Sequence, residues 1–371
     1  MRGTMTLREP FAGSYRDGDV DFLLKVIAFE STPLPEKERL LRTGAKHYSE
    51  MLGPEHEPTT PYLVAFEAAS AANRRRFATN ILSLSKYIEG RHIGPIWLVS
   101  LARAGTPVGV LLKRALKVYL ARDVRHVSLS IVVDRGIDTA ALDYLRNELG
   151  ARDDEVVFVD GWTGKGTIAA ELQRAIARYN VDRSAELDPQ LHVVADLCGA
   201  TAAAATTDDY VIPSSLLGAT VSGLISRTIL AKSSSEPGSF HACRYYAELN
   251  GVDRSLSFVD SVEAEFASVL REGVPPLPQR ERRGEEADLA ATALEAWRTR
   301  LRLSSARFLK PGIGEATRVL LRRLPRQLVV RDAEDPDVRA TLLLAAERGT
   351  PVMIDPMLPW KALAAIVEVE P

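Results

Sequence analysis

Four apolar runs alternate with three helix-like segments in the middle of the chain, and this alternation constrains the fold more than any other feature of the sequence. The apolar runs occupy residues 96–101, 127–133, 156–159 and 191–195, and the helix-like segments occupy residues 108–119, 139–149 and 167–179. Strands and helices that alternate at this spacing predict a parallel sheet covered by helices on both faces. We therefore predict an α/β fold with its ligand site at the carboxyl ends of the strands.

A loop rich in glycine and threonine follows the third of these strands. It runs Asp160-Gly161-Trp162-Thr163-Gly164-Lys165-Gly166-Thr167 and leads directly into a helix-like segment. Glycines let a backbone approach an anion closely, and the first turn of a helix points free N–H groups and the positive end of its dipole at the same place. The loop predicts a phosphorylated ligand.

Two more polar loops are predicted at the same edge of the sheet. Residues 102–107 include Arg103, Ala104 and Gly105, and residues 134–138 include Arg135 and Asp138. Each loop carries a glycine and a cation and leads into a predicted helix. Convergence of three such loops favours one shared site.

Composition limits the classes of protein to consider. With 371 residues the chain suits two or three domains. Its net charge of -2 argues against a protein that coats nucleic acid along its whole length. Only Cys198 and Cys243 are present, without zinc-ligand spacing, which is typical of a reducing cytoplasm. No signal peptide and no membrane-length apolar run of about 18 residues is present, so we expect a cytoplasmic protein without a membrane partner.

A proline-rich and charged stretch in the chain predicts a boundary between two domains. The main domain covers residues 1–272, with a mostly helical part at 1–92 and the sheet core at 93–265, and helical spacing also predicts a helix across residues 221–227. Residues 273–288 are proline-rich and then densely charged, which favours a linker. Residues 289–371 form a small α/β unit, with helices predicted at 289–303 and 315–324 and strands at 327–330 and 351–354.

The spacing of residues in this chain can be compared with that of two other kinds of functional site. A nucleotide-binding P-loop needs a glycine five positions before its Gly-Lys pair and a Ser or Thr after it, but Lys165 is followed by Gly166. A cysteine protease needs a thiolate within reach of a histidine. His241 and Cys243 would share a face if that segment is extended, whereas Cys198 follows a buried strand, where cysteine usually serves as a small apolar residue.

The loops resemble those of type I phosphoribosyltransferases. Residues 99–107 are similar to their pyrophosphate loop, and residues 155–167 are similar to their phosphoribosyl pyrophosphate signature, in which Asp160 takes the second acidic position and Val159 the first. The resemblance implies Asp160 and Arg103 as catalytic residues, with Mg²⁺ at Asp160, directly or through water. The residues implied in binding the phosphoribosyl co-substrate are Thr163, Gly164, Lys165, Gly166, Thr167, Ala104, Gly105 and Arg135.

A resemblance to one bacterial family covers more of the chain. It rests on Phe11-Ala12-Gly13-Ser14-Tyr15, Lys46-His47-Tyr48-Ser49-Glu50-Met51, Asp134-Arg135-Gly136-Ile137-Asp138, Asp209-Tyr210-Val211-Ile212-Pro213-Ser214, residues 219–228 and Phe240-His241-Ala242-Cys243. These motifs are similar to the phosphoribosyltransferase-like family of tellurium-resistance clusters, also called the cysteine protease StiP family. The resemblance implies substrate contacts from His47, Tyr48, Glu50, Asp138, Ser222, Arg227 and His241.

The C-terminal unit resembles the pelota-type RNA-binding domain. This resemblance implies that Gly314, Arg318, Arg322 and Arg323 supply backbone N–H groups and cations to RNA phosphates. A solvated basic helix face is the equal alternative for these residues.

Together the resemblances favour a stress-response enzyme that binds phosphoribosyl pyrophosphate with Mg²⁺ and transfers the phosphoribosyl group to a base or nucleoside-like acceptor. Two alternatives stay open: an inert module that binds a phosphoribosyl ligand and RNA, and a cysteine protease. The sequence also leaves a homo-oligomer open.

Overall fold

The computed structural model describes residues 10–231, 238–278 and 283–368. The N-terminal part contains β1 (Asp21–Phe22), β2 (Lys25–Val26), α1 (Leu34–Arg42) and α2 (Thr60–Glu89). The sheet region contains β3 (Ile96–Ala102), α3 (Thr106–Arg114), β4 (Val124–Val132), β5 (Gly136–Ile137), α4 (Thr139–Asn147), β6 (Val156–Thr163), α5 (Thr167–Arg183), β7 (Leu191–Asp196) and β8 (Ala203–Thr206). The main domain continues with β9 (Ala242–Cys243), α6 (Ser255–Glu263) and α7 (Phe266–Glu272).

The small C-terminal domain begins in the stretch predicted as linker. It contains α8 (Arg283–Arg300), β10 (Leu309–Pro311), α9 (Ile313–Arg322), β11 (Pro325–Val330), α10 (Arg339–Glu347), β12 (Val352–Ile354) and β13 (Ala362–Ile366). Its four strands have the order β10-β13-β11-β12, in which only β11 and β12 are parallel. The division into domains at residues 272 and 289 stays a prediction.

The main sheet confirms an α/β fold with a mostly parallel sheet. Its strand order is β1-β4-β3-β6-β7-β8, all neighbours on this path are parallel, and the short β5 pairs antiparallel with β4. All four predicted strands are present as β3, β4, β6 and β7. That this sheet is of the type I phosphoribosyltransferase kind stays a prediction.

Alternate residues of the central strand β6 enter different cores. Val157 and Val159 pack into the core that contains α2 and α3, whereas Val156 and Phe158 pack into the core beneath α4 and α5. A strand whose two faces are both covered reads as a continuous apolar run, because neither row of side chains meets water. This explains why the apolar run at residues 156–159 correctly predicted a buried strand.

The first core extends into the C-terminal domain. Phe77 and Ile81 of α2 belong to the same buried cluster as Val319 and Leu320 of α9. The C-terminal domain therefore packs against the main domain through apolar side chains, and this contact brings α9 to the carboxyl edge of the main sheet.

The helix predicted across residues 221–227 is wrong. In the structure this segment contains only a short 3-10 turn at Ala219–Val221, followed by Gly223 at φ 82° and Leu224 at φ 59°. Two consecutive residues in the left-handed region cannot continue a right-handed helix. The segment is irregular and forms backbone hydrogen bonds with Arg244 and Tyr246, and its buried apolar residues have helical spacing although they do not form a helix.

None of the helices in the described ranges has both the length and the apolarity needed to cross a membrane.

Candidate anion-binding cleft between the domains

The glycine-rich loop after β6 is covered by the C-terminal domain. A side chain at Gly164 would meet the carbonyl oxygen of Pro311 at 2.7 Å, and Lys165 Nζ donates to the carbonyl of Ala306 at 3.0 Å. Within the loop, the Gly166 N–H donates to Thr163 Oγ1 at 2.9 Å. The space that these glycines leave beside the loop is therefore occupied by backbone of the C-terminal domain.

The lysine of this loop is half-buried, with the charges of Lys310 and Glu315 acting on it. Burial, and then the charge of Lys310, lower the pKa of Lys165 to about 8. Thr167 begins α5, and Gly166 precedes it at φ 71°, a conformation that glycine adopts without strain. The roles predicted for these residues toward a phosphoribosyl ligand find no support in these contacts.

Asp160 lies within β6, beside the loop that follows β3. Its Oδ1 accepts the Gly161 N–H at 2.7 Å, and Gly105 sits so close that a side chain there would approach the Asp160 Cα to 3.0 Å. Burial raises the pKa of Asp160 to about 6, although Arg318 of α9 lowers it. Ala104, whose carbonyl faces Gly161, belongs to the same contact. The structure thus brings the two predicted loops together.

Asp160 was also the predicted magnesium ligand. Among the described residues, no group of three or more His, Cys, Asp or Glu side chains is arranged to hold a metal ion. The nearby Glu315 is engaged by Arg318 at 2.6 Å, so this set of donors does not form a pair of free carboxylates. The magnesium site stays a prediction.

Arg103 is buried and bound to a carboxylate that the sequence did not single out. Its Nη2 donates to both oxygens of Glu55, at 2.9 and 2.8 Å, and its Nη1 donates to the carbonyl of Ile225 at 2.7 Å. The third donor, Nε, is buried without a hydrogen-bond partner. Although burial opposes it, the charge of Arg103, followed by that of Arg322, lowers the pKa of Glu55 to about 2.

Helix α9 presents its predicted RNA-binding residues to the main domain. Gly314 faces the indole of Trp162, which would lie 2.6 Å from a side chain at position 314. The Arg318 guanidinium lies 4.3 Å from the centroid of the Trp162 ring, in a cation–π contact. Arg323 pairs with Glu38 at 2.7 Å. The side chains of Arg318 and Arg323 are 31% and 33% exposed, so both alternatives for these residues stay open.

Arg322, one turn beyond Arg318, completes a cluster of like charges. Burial, and then the charge of Arg103, lower the pKa of Arg322 to about 9, with Arg227 contributing in the same direction. Burial also lowers the pKa of Arg227 to about 10. Burial, and then the charge of Arg227, lower the pKa of Lys37 to about 7. Arg322, Arg227 and Lys37, which lie on three separate segments, therefore gather near Arg103.

A cleft opens at this cluster between the two domains. It encloses about 460 Å³ and is lined by Pro54, Glu55, His56, Glu57, Pro58, Thr59, Tyr62, Leu216, Leu217, Gly218, Thr220, Leu321, Arg322, Leu344, Glu347 and Arg348. Its walls combine apolar side chains with two arginines, Arg322 and Arg348, and three glutamates, Glu55, Glu57 and Glu347. A glycine is needed at position 218, because a side chain there would collide with Glu55.

A second group of predicted residues gathers near the carboxyl end of β4. The Tyr48 hydroxyl accepts the Val133 N–H at 2.9 Å, and Arg227 lies over the Tyr48 ring at 5.4 Å. Arg227 Nη2 also donates to the Tyr48 carbonyl at 2.8 Å. Burial, and then the charge of Arg135, lower the pKa of His47. Arg227 thus belongs both to this group and to the cluster of cations around Arg322.

The side chains of His47, Glu50 and Ser222 satisfy local backbone or hydroxyl groups. The Glu50 carboxylate accepts the His47 N–H at 2.9 Å, and His47 Nδ1 bonds Ser49 Oγ at 2.8 Å. Ser222 Oγ donates to the Gly218 carbonyl at 2.8 Å. These contacts stabilise the turns that carry them.

His241 is oriented by two polar neighbours. Its Nδ1 bonds Ser130 Oγ at 2.7 Å, and its backbone N–H donates to Asp138 Oδ2 at 2.6 Å. The other Asp138 oxygen caps α4 by accepting the Ala141 N–H at 3.1 Å. Burial lowers the pKa of His241 and raises that of Asp138.

Neither cysteine is paired with a histidine among the described residues. Burial alone raises the pKa of Cys243 to about 12, and this side chain is fully buried. Burial, and then the charge of Asp196, raise the pKa of Cys198 to about 12, with its Sγ 3.5 Å from Asp196 Oδ1. Both thiols are therefore protonated at neutral pH in this conformation.

Sequence reasoning missed several residues of the cleft. Glu55 lies in the irregular segment before α2, Arg348 directly follows α10, and Lys37 of α1 lies beside the cleft. The only sequence signal was the excess of arginine in α9. Their meeting depends on how the two domains pack, which no local pattern encodes.

Comparison with known proteins places the chain in a family. Residues 13–263 match the family described as tellurite-like stress resistance cysteine protease StiP. The chain belongs to this StiP family. Residues 288–368 match the PELOTA RNA binding domain. A curated protein of Acinetobacter baylyi, named cysteine protease StiP, is 36% identical over 372 residues, which cover 98% of this chain and 96% of that protein.

These matches correct the main functional prediction. The family and the Acinetobacter protein are both named as a cysteine protease, so the prediction of a phosphoribosyltransferase is wrong, and nothing indicates binding of phosphoribosyl pyrophosphate. The recognition of the StiP family and of the pelota-type domain is confirmed. The homo-oligomer stays a prediction.

Proposed function

We propose that the protein binds RNA in the cleft between its domains, with α9 of the pelota-type domain as one wall. The observation that carries the proposal is the position of Arg322, which lines the cleft and also borders, with Arg103 and Arg227, a small space that adjoins it. The match to a PELOTA RNA binding domain supports RNA as the polyanion. Arginine is well suited to phosphate because its planar guanidinium donates in a fork.

The size and lining of the cleft support a nucleotide as the unit bound. Its volume of about 460 Å³ falls within the range of small-molecule sites, roughly 300–1,000 Å³. The half-buried Pro54, Pro58 and Leu321 offer apolar surface to an unstacked base, while Arg322 and Arg348 offer cations to its phosphate. Single-stranded RNA is commonly bound in this way, with splayed bases and cations on the backbone.

The test is fluorescence anisotropy of the full chain with a labelled single-stranded RNA of mixed sequence. We expect Arg322→Gln to weaken binding roughly tenfold, which corresponds to about 1.4 kcal/mol and to the loss of one charge-assisted contact. The matched control is Arg326→Gln, which makes the same change at an exposed residue of β11 outside the cleft lining. Equal affinities of the two variants would refute the proposal.

A second candidate function is the proteolysis in the family's name. The observation that favours it is Cys198, which lies just after β7 at the carboxyl edge of the sheet, where α/β enzymes carry their functional groups. Its thiol packs with Ala290, Trp297 and Trp360 of the C-terminal domain. Peptide cleavage by Cys198 would therefore require the C-terminal domain to move away and a general base to approach.

This candidate is tested with unfolded casein as substrate. Loss of cleavage in Cys198→Ala together with full activity in Cys243→Ala would support Cys198 as the nucleophile. Cleavage that survives both substitutions would reject a thiol mechanism.

A further inference from the structure

A small pocket branches from the cleft, and five of its twelve lining residues are cationic. It encloses about 110 Å³, the space of roughly three or four water molecules at ~30 Å³ each. Its lining includes five cationic side chains and one carboxylate: Lys37, Arg103, Arg227, Arg322, Arg348 and Glu55. Pro54, Glu55, His56, Leu321, Arg322 and Arg348 line both the pocket and the cleft, so the two spaces adjoin.

The single carboxylate of the pocket is already engaged. Both Glu55 oxygens accept from Arg103, and Oε1 also accepts the Ala219 N–H at 2.7 Å. Glu38, the acid whose charge acts on Lys37, pairs with Arg323 at 2.7 Å, and Glu57 and Glu347 line the adjoining cleft but not the pocket. Protein carboxylates therefore do not compensate the remaining cations of the pocket.

Several donors that border the pocket are left without acceptors. Arg103, only 7% exposed, has a buried Nε with no hydrogen-bond partner. Across the described ranges, neither Lys37 Nζ nor the Arg322 guanidinium has a hydrogen bond or an ion pair. Buried donors without partners cost about 1–3 kcal/mol each, and more when they are charged. Arg103 Nε is fully closed off, whereas Lys37 Nζ and Arg322 are open to the pocket, and an anion held there would supply acceptors to them.

We propose that this pocket binds the terminal phosphate monoester of the RNA that occupies the cleft. The inference rests on the proposed function. A volume of about 110 Å³ is too small for a nucleotide but accepts a phosphate group at the end of a chain. A monoester carries about -1.5 to -2 charges and three terminal oxygens at neutral pH, whereas an internal diester carries one charge. The excess of cations and unpaired donors favours the monoester.

The experiment compares one RNA sequence in three forms: with a 5′-phosphate, with a 3′-phosphate, and with hydroxyl groups at both ends. We expect one phosphorylated form to bind the full-length protein at least tenfold more tightly than the hydroxyl form. In Lys37→Met this preference should fall to about one. The matched control, Lys46→Met, changes an exposed lysine near α1 and should keep the preference. Arg322→Gln provides a second variant should Lys37→Met fail to fold.

A parallel measurement uses inorganic phosphate alone and follows the thermal midpoint of the protein. We expect phosphate, compared with chloride at equal ionic strength, to raise the midpoint of the wild type and of Lys46→Met but not that of Lys37→Met. Equal binding of all three RNA forms would overturn the pocket while leaving RNA binding in the cleft intact. Stabilisation by phosphate that depends on Lys37, without any RNA binding, would support the pocket and reject the proposed function.

Discussion

Replacing Lys37 by methionine should stabilise the protein free of ligand, because Lys37 is a buried cation without an ion pair. Its side chain is 4% exposed, and burial with the neighbouring charge of Arg227 lowers its pKa from the ordinary 10.5 to about 7. At about 1.4 kcal/mol per pKa unit, the protonated form costs the folded state about 5 kcal/mol. Methionine fills a similar volume and carries no charge.

The pH dependence gives the sign of this effect. Below pH 7 the lysine is charged in both the folded and the unfolded chain, so the whole cost is present. Between pH 7 and 10.5 the folded chain binds fewer protons than the unfolded chain, so stability rises with pH and the cost shrinks to zero. The advantage of Lys37→Met should be about 5 kcal/mol at pH 6 and about 2 kcal/mol at pH 9.

Urea unfolding followed by tryptophan fluorescence at pH 6 and pH 9 measures this advantage. Lys46→Met serves as the exposed control and should follow the wild type at both pH values. Buffers must be free of phosphate and sulfate, because an anion in the pocket would compensate Lys37 and conceal the difference. The reasoning is refuted if Lys37→Met and the wild type show parallel pH profiles, since that result would mean that the Lys37 ammonium is solvated or paired.

Three further predictions concern other parts of the molecule. Gly314→Ala should destabilise the protein by about 1–3 kcal/mol, because the new methyl group would press on the indole of Trp162. Gly284→Ala in α8, where the space is open, should stabilise the protein by about 0.5–1 kcal/mol. Thermal unfolding measures both changes. Burial raises the pKa of Asp160 to about 6, so the charged carboxylate destabilises the folded protein. Asp160→Asn should therefore raise the free energy of unfolding by up to about 3 kcal/mol above pH 6 and leave it unchanged below pH 3.8. Unfolding of the variant and the wild type at pH 8 and pH 3.5 measures this difference. Cys198 and Cys243 should react with iodoacetamide at pH 7.5 only after unfolding, as intact mass spectrometry would reveal.

The strands that the sequence predicted are those in which both faces meet apolar layers. β3, β4, β6 and β7 are rich in valine, leucine and isoleucine, and the glycine-containing loops after them fixed the edge at which functional groups would gather. Local composition was sufficient there because burial on both faces leaves one simple pattern.

Two of the strands that the sequence did not predict, β8 and β13, consist largely of alanine. β8 has the sequence Ala-Ala-Ala-Thr, and β13 has Ala-Leu-Ala-Ala-Ile, which intrinsic propensity assigns to a helix. In the structure β13 is the central partner of β10 and β11. The small side chains let helices pack closely over these strands, so tertiary contacts override the local preference.

The candidate site was only half visible in the sequence for a different reason. Arg103 and Asp160 were identified from loops of the main domain and Arg322 from α9, but as parts of two separate sites. The approach of Arg322 to Arg103, and that of Arg318 to Asp160, are properties of the domain interface, as is the coverage of the glycine loop by Pro311. A loop pattern shows which groups can approach an anion and cannot show what occupies the space in front of it.

The apolar cluster shared by α2 and α9 has a consequence for the integrity of the chain. Because the two domains bury one continuous core, they should unfold in a single calorimetric transition, although a linker joins them. Cleavage of the peptide chain at residues 273–278 would leave the halves associated. Such a cut would be invisible by size exclusion and would appear only on a denaturing gel, so proteolytic processing of this protein could proceed without any change in its assembled size.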